Sequence, residues 1–166
     1  MEITSIHKPR IVVIGSCNTD MVVKANRLPV PGETILGGTF YMNPGGKGAN
    51  QAIAASRLGA EVTFISKIGY DLFGLQALEI YKSERINTDF IFTDQKNPSG
   101  VALISVDSFG ENSIIVAPGA SRSLSIEDIN KAEEKIKKAD IILMQLEVPI
   151  ETVEYAASMA NKYGKK

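Results

Sequence analysis

Residues 43–52 run Asn43-Pro44-Gly45-Gly46-Lys47-Gly48-Ala49-Asn50-Gln51-Ala52 and continue into Ile53-Ala54-Ala55. Glycines, a lysine and an asparagine are followed at once by small apolar residues, the pattern of a loop feeding the first turn of a helix. Glycine lets a backbone approach a ligand or another chain segment closely, and a helix N-terminus leaves N–H groups free to bind oxygen. Two phosphate-loop patterns fail here. Lys47 is followed by Gly48 and position 41 is Tyr, which excludes a Walker A loop, and Gln51 stands where a dinucleotide fingerprint needs glycine. The glycines alone leave two roles open: an oxygen-binding loop or a tight structural turn.

Outward from this loop, short apolar strands alternate with helical patterns. Arg10–Gly15 is β-branched and reads as a buried parallel strand that turns polar at Ser16-Cys17-Asn18-Thr19-Asp20. Met21–Lys24 suggests a short strand, 28–32 a rigid turn, and Thr34–Met42 a strand broken or bulged at Gly37-Gly38. A helix from Gly48 to about Leu58 stops at Gly59, and Glu61–Ile68 is a second core strand. Asp71 caps a helix expected over 72–85, with Phe73, Leu75, Leu78 and Tyr81 near one stripe. A third strand is expected over Asp89–Thr93 and a hairpin over residues 100–107 and 112–116, apolar on both faces. Ser125 and Asp128 form a capping-box pattern for a helix to about Lys138, with Ile129, Ala132 and Ile136 inward. Asp140–Leu146 is another core strand, ending at Glu147, and a last helix spans roughly 150–163 before Gly164. This alternation predicts an α/β fold: a three-layer, mainly parallel sheet flanked by helices.

In such sheets ligands bind outside the carboxyl ends of the strands. Three polar clusters, 16–20, 45–50 and Glu147, fall at that edge. Each has a plainer role as turn or first-turn chemistry, but together they suit a small polyhydroxy ligand.

Composition narrows the classes. A net charge of −1 gives no general attraction to nucleic acid or an anionic membrane. No apolar run is long enough to span a bilayer, and the single cysteine, Cys17, excludes an internal disulfide framework. A cytoplasmic protein is the expectation. Residues 1–9 read as a flexible tail that holds His7, the only histidine, so neither a metal cluster nor a Ser-His-Asp triad is indicated. Cys17 reads as a small packed residue rather than a nucleophile.

Taken in order, Gly15-Ser-x-Asn18-x-Asp20, Pro31-Gly32-Glu33-Thr34, Gly45-Gly-Lys-Gly-Ala-Asn-Gln51 and Met144-Gln-Leu-Glu147 resemble the PfkB carbohydrate kinases, and within them the ribokinase group. The resemblance covers nearly all of 10–166. It implies a ribokinase-like fold and ATP-dependent phosphorylation of D-ribose at its 5-hydroxyl, with Mg2+ and possible K+ activation. It further implies that Asn18 and Asp20 hold sugar hydroxyls, that Gly46, Lys47, Gly48, Ala49 and Asn50 form the other wall, and that Glu147 binds a further hydroxyl. A small β lid about residues 18–44 and 100–117 would present Ala102, Ile104 and Val116 to the sugar and pair two subunits into a homodimer. No catalytic residue is expected here. The family's second signature, similar to Asp-Thr-x-Gly-Ala-Gly-Asp, supplies the base and the anion hole, and no stretch of this sequence matches it. This chain is therefore expected to be the N-terminal, sugar-side half, without the nucleotide-binding half and inactive alone. The strand 140–146 should then present an apolar edge. The alternatives are a PfkB kinase for fructose, a nucleoside or another sugar, and a non-catalytic sugar-binding or lid-dimerising module.

Overall fold

A computed structural model describes residues 8–166. Most of the tail expected over 1–9, with His7, lies outside the described residues. Pro9 is already tied in, because its carbonyl accepts from the Glu61 N–H.

Four parallel strands form the central sheet: β1 (Arg10–Ile14), β4 (Glu61–Gly69), β5 (Ile91–Asp94) and β8 (Ile141–Met144), in the order β5, β4, β1, β8. Side chains alternate along a strand, and the central strands β1 and β4 are apolar on both faces. Val13, Val62, Phe64 and Ile68 face helices α1 (Lys47–Arg57) and α2 (Leu72–Ser83). Val12, Ile14, Ile65 and Ile142 face α3 (Ile126–Lys131), α4 (Glu133–Lys138) and α5 (Ile150–Lys162). The result is the expected three layers. The outer strand β8 is an edge of this sheet, where the Ile142 N–H donates to the carbonyl of Lys166.

A second sheet comprises β2 (Asn18–Lys24), β3 (Thr39–Gly45), β6 (Gly100–Val106) and β7 (Asn112–Ala117), in the order β3, β2, β6, β7. It pairs β2 with β6 in parallel, and β2 with β3 and β6 with β7 antiparallel. The bounds of β3 differ from the expected 34–42. Gly37 and Gly38 adopt φ of +102° and +105°, which ends rather than bulges a strand, so β3 begins at Thr39 and runs on to Gly45. Pro44 is tolerated because β3 is an edge strand. Strand and helix are thus separated by Gly46 alone, at φ +92°.

Two helices also differ from expectation. The buried side of α2 is Gly74, Ala77 and Tyr81, whereas Leu75 is exposed. Gly74 fixes that rotation, because a Cβ there would lie 2.4 Å from the Gly69 carbonyl oxygen. The capping box at Ser125 and Asp128 is present, but the single helix expected to Lys138 is two, parted at Ala132. Ile129, Ala132 and Ile136 are nevertheless all fully buried.

A candidate sugar-binding site at the carboxyl ends of the strands

The strand ends converge on Glu147, just past β8. Ser16, just past β1, donates its hydroxyl to Glu147 Oε2 at 2.6 Å, and the Lys47 backbone N–H donates to the same oxygen at 3.1 Å. The Lys47 ammonium pairs with Oε1. The anion at the N-terminus of α1 is therefore the protein's own carboxylate, in the place where a phosphate would have to sit. The Ala49 N–H is also used, donating to the Ser16 carbonyl at 3.0 Å. Partial burial pushes the Glu147 carboxyl up, but hydrogen bonds from the Lys47 side chain, Ser16 and the Lys47 backbone outweigh it and hold it below its ordinary value.

Glycines make this convergence possible at two points. A Cβ on Gly48 would lie 2.7 Å from the Gly15 carbonyl carbon and from the Ser16 carbonyl oxygen. A Cβ on Gly46 would meet the backbone of Cys17 and Ser16 at 2.9 Å, and its positive φ excludes most side chains in any case.

The register of the second sheet places Asn18 and Asp20 on one face with their neighbours. Asp20 pairs with Asn43 and with Ala102, Val22 pairs with Ile104, and Ala102 pairs with Val116. Ala102, Ile104 and Val116 therefore share the face of Asn18 and Asp20. Ala102 is buried, Ile104 half-buried and Val116 exposed. Asn18 is buried, and its Oδ1 has no hydrogen-bond partner among the described residues. Asp20 lies over Gly45, and burial followed by the nearby Glu147 charge pushes its carboxyl up. An acceptor without a donor and a carboxylate beside a like charge both favour an incoming hydroxyl.

Asn50 stands apart. It is exposed and borders a depression with Asn43, Pro44, Ile53 and Arg57, to which Asn18, Asp20 and Glu147 do not contribute. Cys17 is buried, and desolvation pushes its thiol up to about 11, as suits a packed residue.

Three sets of contacts were not foreseen from sequence. Ser16 is the buried donor to Glu147. Gln145 donates through Nε2 to Gln51 Oε1 across the gap between β8 and α1. Asp71, besides capping α2 through the Gly74 N–H, accepts from the Ser99 N–H and hydroxyl, both at 2.7 Å. The Ser99 hydroxyl also accepts from the Gly69 N–H at 3.0 Å, so this network ties the start of β6 to the end of β4. Ser16 and Gln51 lie within quoted motifs, but Ser99 sits in a loop with no local signal.

Among the described residues, no group of three or more His, Cys, Asp or Glu is arranged to hold a metal ion. With the α1 N-terminus already filled, the residues present do not fit Mg2+, K+ or the phosphates of ATP. No helix among them is long and apolar enough to cross a membrane.

The model of the pfkB family carbohydrate kinases matches residues 8–165. A ribokinase of Haemophilus influenzae is 44% identical over 156 residues, which cover 94% of this chain and 51% of that protein. A deoxyribokinase of Salmonella typhi is 41% identical, covering 93% of this chain and 50% of its own. The solved structure of an Arabidopsis thaliana ribokinase complexed with ribose and ATP superposes with a TM-score of 0.82 at 32% identity, covering 96% of this chain and 52% of that one. The chain spans about half the length of the relatives it matches. On the family match and these identities, the chain belongs to the pfkB family of carbohydrate kinases.

Proposed function

We propose that this chain is the sugar-binding half of a ribokinase-type kinase that transfers phosphate from ATP to the 5-hydroxyl of D-ribose. The observation that carries this is the meeting of Asn18, Asp20 and Glu147, from separate segments, around the glycine turn at Gly46. Among the described residues one acceptor there, Asn18 Oδ1, lacks a donor, and burial with the nearby Glu147 charge pushes the Asp20 carboxyl up. Asn18, Asp20 and Glu147 grip sugar hydroxyls and Gly46, Lys47, Gly48 and Ala49 form the opposing wall, to which Asn50 is assigned by its place in the motif. The second sheet is the lid, with Ala102, Ile104 and Val116 toward the sugar.

Phosphoryl transfer works by positioning and by electrostatics around the phosphates. These residues supply acceptor positioning only, so the 166 residues alone are expected to turn over no ribose. ATP, Mg2+ and K+ would be held by residues outside this chain. The test is ribose-dependent ATP consumption by the protein expressed from its uninterrupted reading frame, beside the 166-residue chain. Equal rates for the two would overturn the division of labour.

The deoxyribokinase similarity favours a second substrate, 2-deoxyribose, within the same chemistry. Comparing KM for the two pentoses separates them. The opposite face of the lid sheet carries Val23, Phe40, Met42, Leu103 and Ile115, all exposed. So apolar a patch supports a homodimer formed through the lid. A lone, buried, free cysteine accords with a cytoplasmic protein.

A further inference from the structure

The two oxygens of Glu147 are held unequally. Oε2 takes two donors that cannot easily move: the backbone N–H of Lys47 and the hydroxyl of Ser16, a residue only 1% exposed. Oε1 takes the Lys47 ammonium, on a flexible stem that is 68% exposed. An ammonium on such a stem can swing into water at little cost. Oε2 is therefore the anchor and Oε1 the presented acceptor.

We propose that Ser16 is a positioning residue that fixes the rotation of the Glu147 carboxylate, so that Oε1 is offered to a ligand hydroxyl when Lys47 swings away. The identity of that hydroxyl rests on the sugar-kinase reading, whereas the hold on Glu147 does not. A plainer role for Ser16 would be small size, since α1 packs against its backbone and its carbonyl accepts from Ala49. Alanine satisfies that role equally well and differs only in lacking the donor. A serine hydroxyl has one proton to give, and here it goes to the carboxylate at 2.6 Å, a charge-assisted length. Removing it leaves Oε2 with the Lys47 N–H alone. The carboxylate can then turn, and a donor that favours its charged form is lost.

The test is Ser16→Ala in the protein expressed from its uninterrupted reading frame. The KM for ribose should rise about three- to thirtyfold with kcat nearly unchanged, because a ground-state contact is lost. The acid limb of kcat/KM should move to higher pH. In a Glu147→Ala background, Ser16→Ala should add nothing further, since its effect runs through that carboxylate. In the same proteins carrying 13C at the glutamate carboxyls, the Glu147 titration should move up on Ser16→Ala. If Ser16→Ala does not fold, Ser16→Cys, a weak donor of similar size, takes its place with the same expectations. An unmoved titration, or an equal KM effect with and without Glu147, would overturn the proposal. If the unsubstituted protein phosphorylates no pentose, the sugar-kinase reading fails instead, and the titration alone then decides the role of Ser16.

Discussion

Adding one methyl group at Gly48 strikes the contact that seats α1 on the end of β1. The Cβ of Gly48→Ala would lie 2.7 Å from the Gly15 carbonyl carbon, 2.7 Å from the Ser16 carbonyl oxygen and 2.8 Å from Gly15 Cα. These are backbone atoms at the end of a strand held between β4 and β8, so no side chain can swing aside. Relieving the overlap means moving α1 outward, which lengthens the Ala49 to Ser16 bond and pulls the Lys47 N–H off Glu147. Overpacking of this kind costs about 1–3 kcal/mol. Alanine returns up to about 1 kcal/mol through its better helix propensity. Midway through those ranges the net loss is about 1.5 kcal/mol, or a fall in Tm of about 3–6 °C for a chain of this size. Thermal and urea unfolding followed by circular dichroism measure it, with Gly59→Ala as the control. Gly59 also has a positive φ, +96°, but nothing lies within 4 Å of its Cβ, so its substitution strains the backbone without disturbing the site. Gly48→Ala should lose stability and, in the protein expressed from its uninterrupted reading frame, ribose use as well, and Gly59→Ala stability alone. A Gly48→Ala protein as stable as the parent, with its ribose KM intact, would refute the close approach of α1 to β1.

The remaining expectations follow the charges and the surfaces. Asp20→Asn should stabilise the unliganded protein by under about 1 kcal/mol, because the folded state disfavours this half-buried charge beside Glu147; differential scanning calorimetry checks it, and ribose KM should rise at the same time. Lys67 and Asp128 form a largely buried pair at 2.8 Å, so Lys67→Met should cost about 2–3 kcal/mol in urea unfolding, as Asp128 keeps its bonds from Ser125. Burial pushes the Asp128 carboxyl up, but Lys67 and the Ser125 donors hold it below its ordinary value of 3.8. Its contribution is whole above that pH and is lost as pH falls through the folded-state value, so Lys67→Met should flatten the acid limb of stability against pH. In the protein expressed from its uninterrupted reading frame, Glu147→Ala should raise ribose KM by tenfold or more, from the loss of about 1.5–3 kcal/mol of charge-assisted hydrogen bonding. Ile115→Glu, on the outward lid face, should shift sedimentation toward monomer without lowering the Tm.

Much of the fold was legible because its signals are local. Glycines at 46 and 59 bracket α1, Asp71 and Ser125 are true caps, and β1 and β4 are apolar on both faces because helices cover both sides. The misses have tertiary causes. Phe73, Leu75, Leu78 and Tyr81 have helical spacing, but the close seating of Gly74 on Gly69 turns Leu75 outward. The strand at 34–42 was displaced because propensity does not record that Gly37 and Gly38 take positive φ, nor that Asn18 draws the pairing on to Gly45. The break at Ala132 has no glycine or proline to mark it.

For the site, residue types and strand ends were legible, and contacts were not. Asn18, Asp20 and Glu147 stand where α/β sheets place ligands, but sequence does not say that Lys47 and Ser16 both close on Glu147. Nor does it show that the α1 N-terminus is filled by that carboxylate. Asn50 was grouped with its neighbours by adjacency in the motif, and the structure shows it exposed beside Asn43, Pro44, Ile53 and Arg57.

The most direct test of the sugar-side assignment is a 31P spectrum of D-ribose and ATP incubated with the protein expressed from its uninterrupted reading frame, beside its Glu147→Ala variant. Ribose 5-phosphate should appear with the parent and require far more ribose with the variant. Phosphate transfer to fructose or a nucleoside with none to ribose, or an identical ribose dependence in the two proteins, would contradict it.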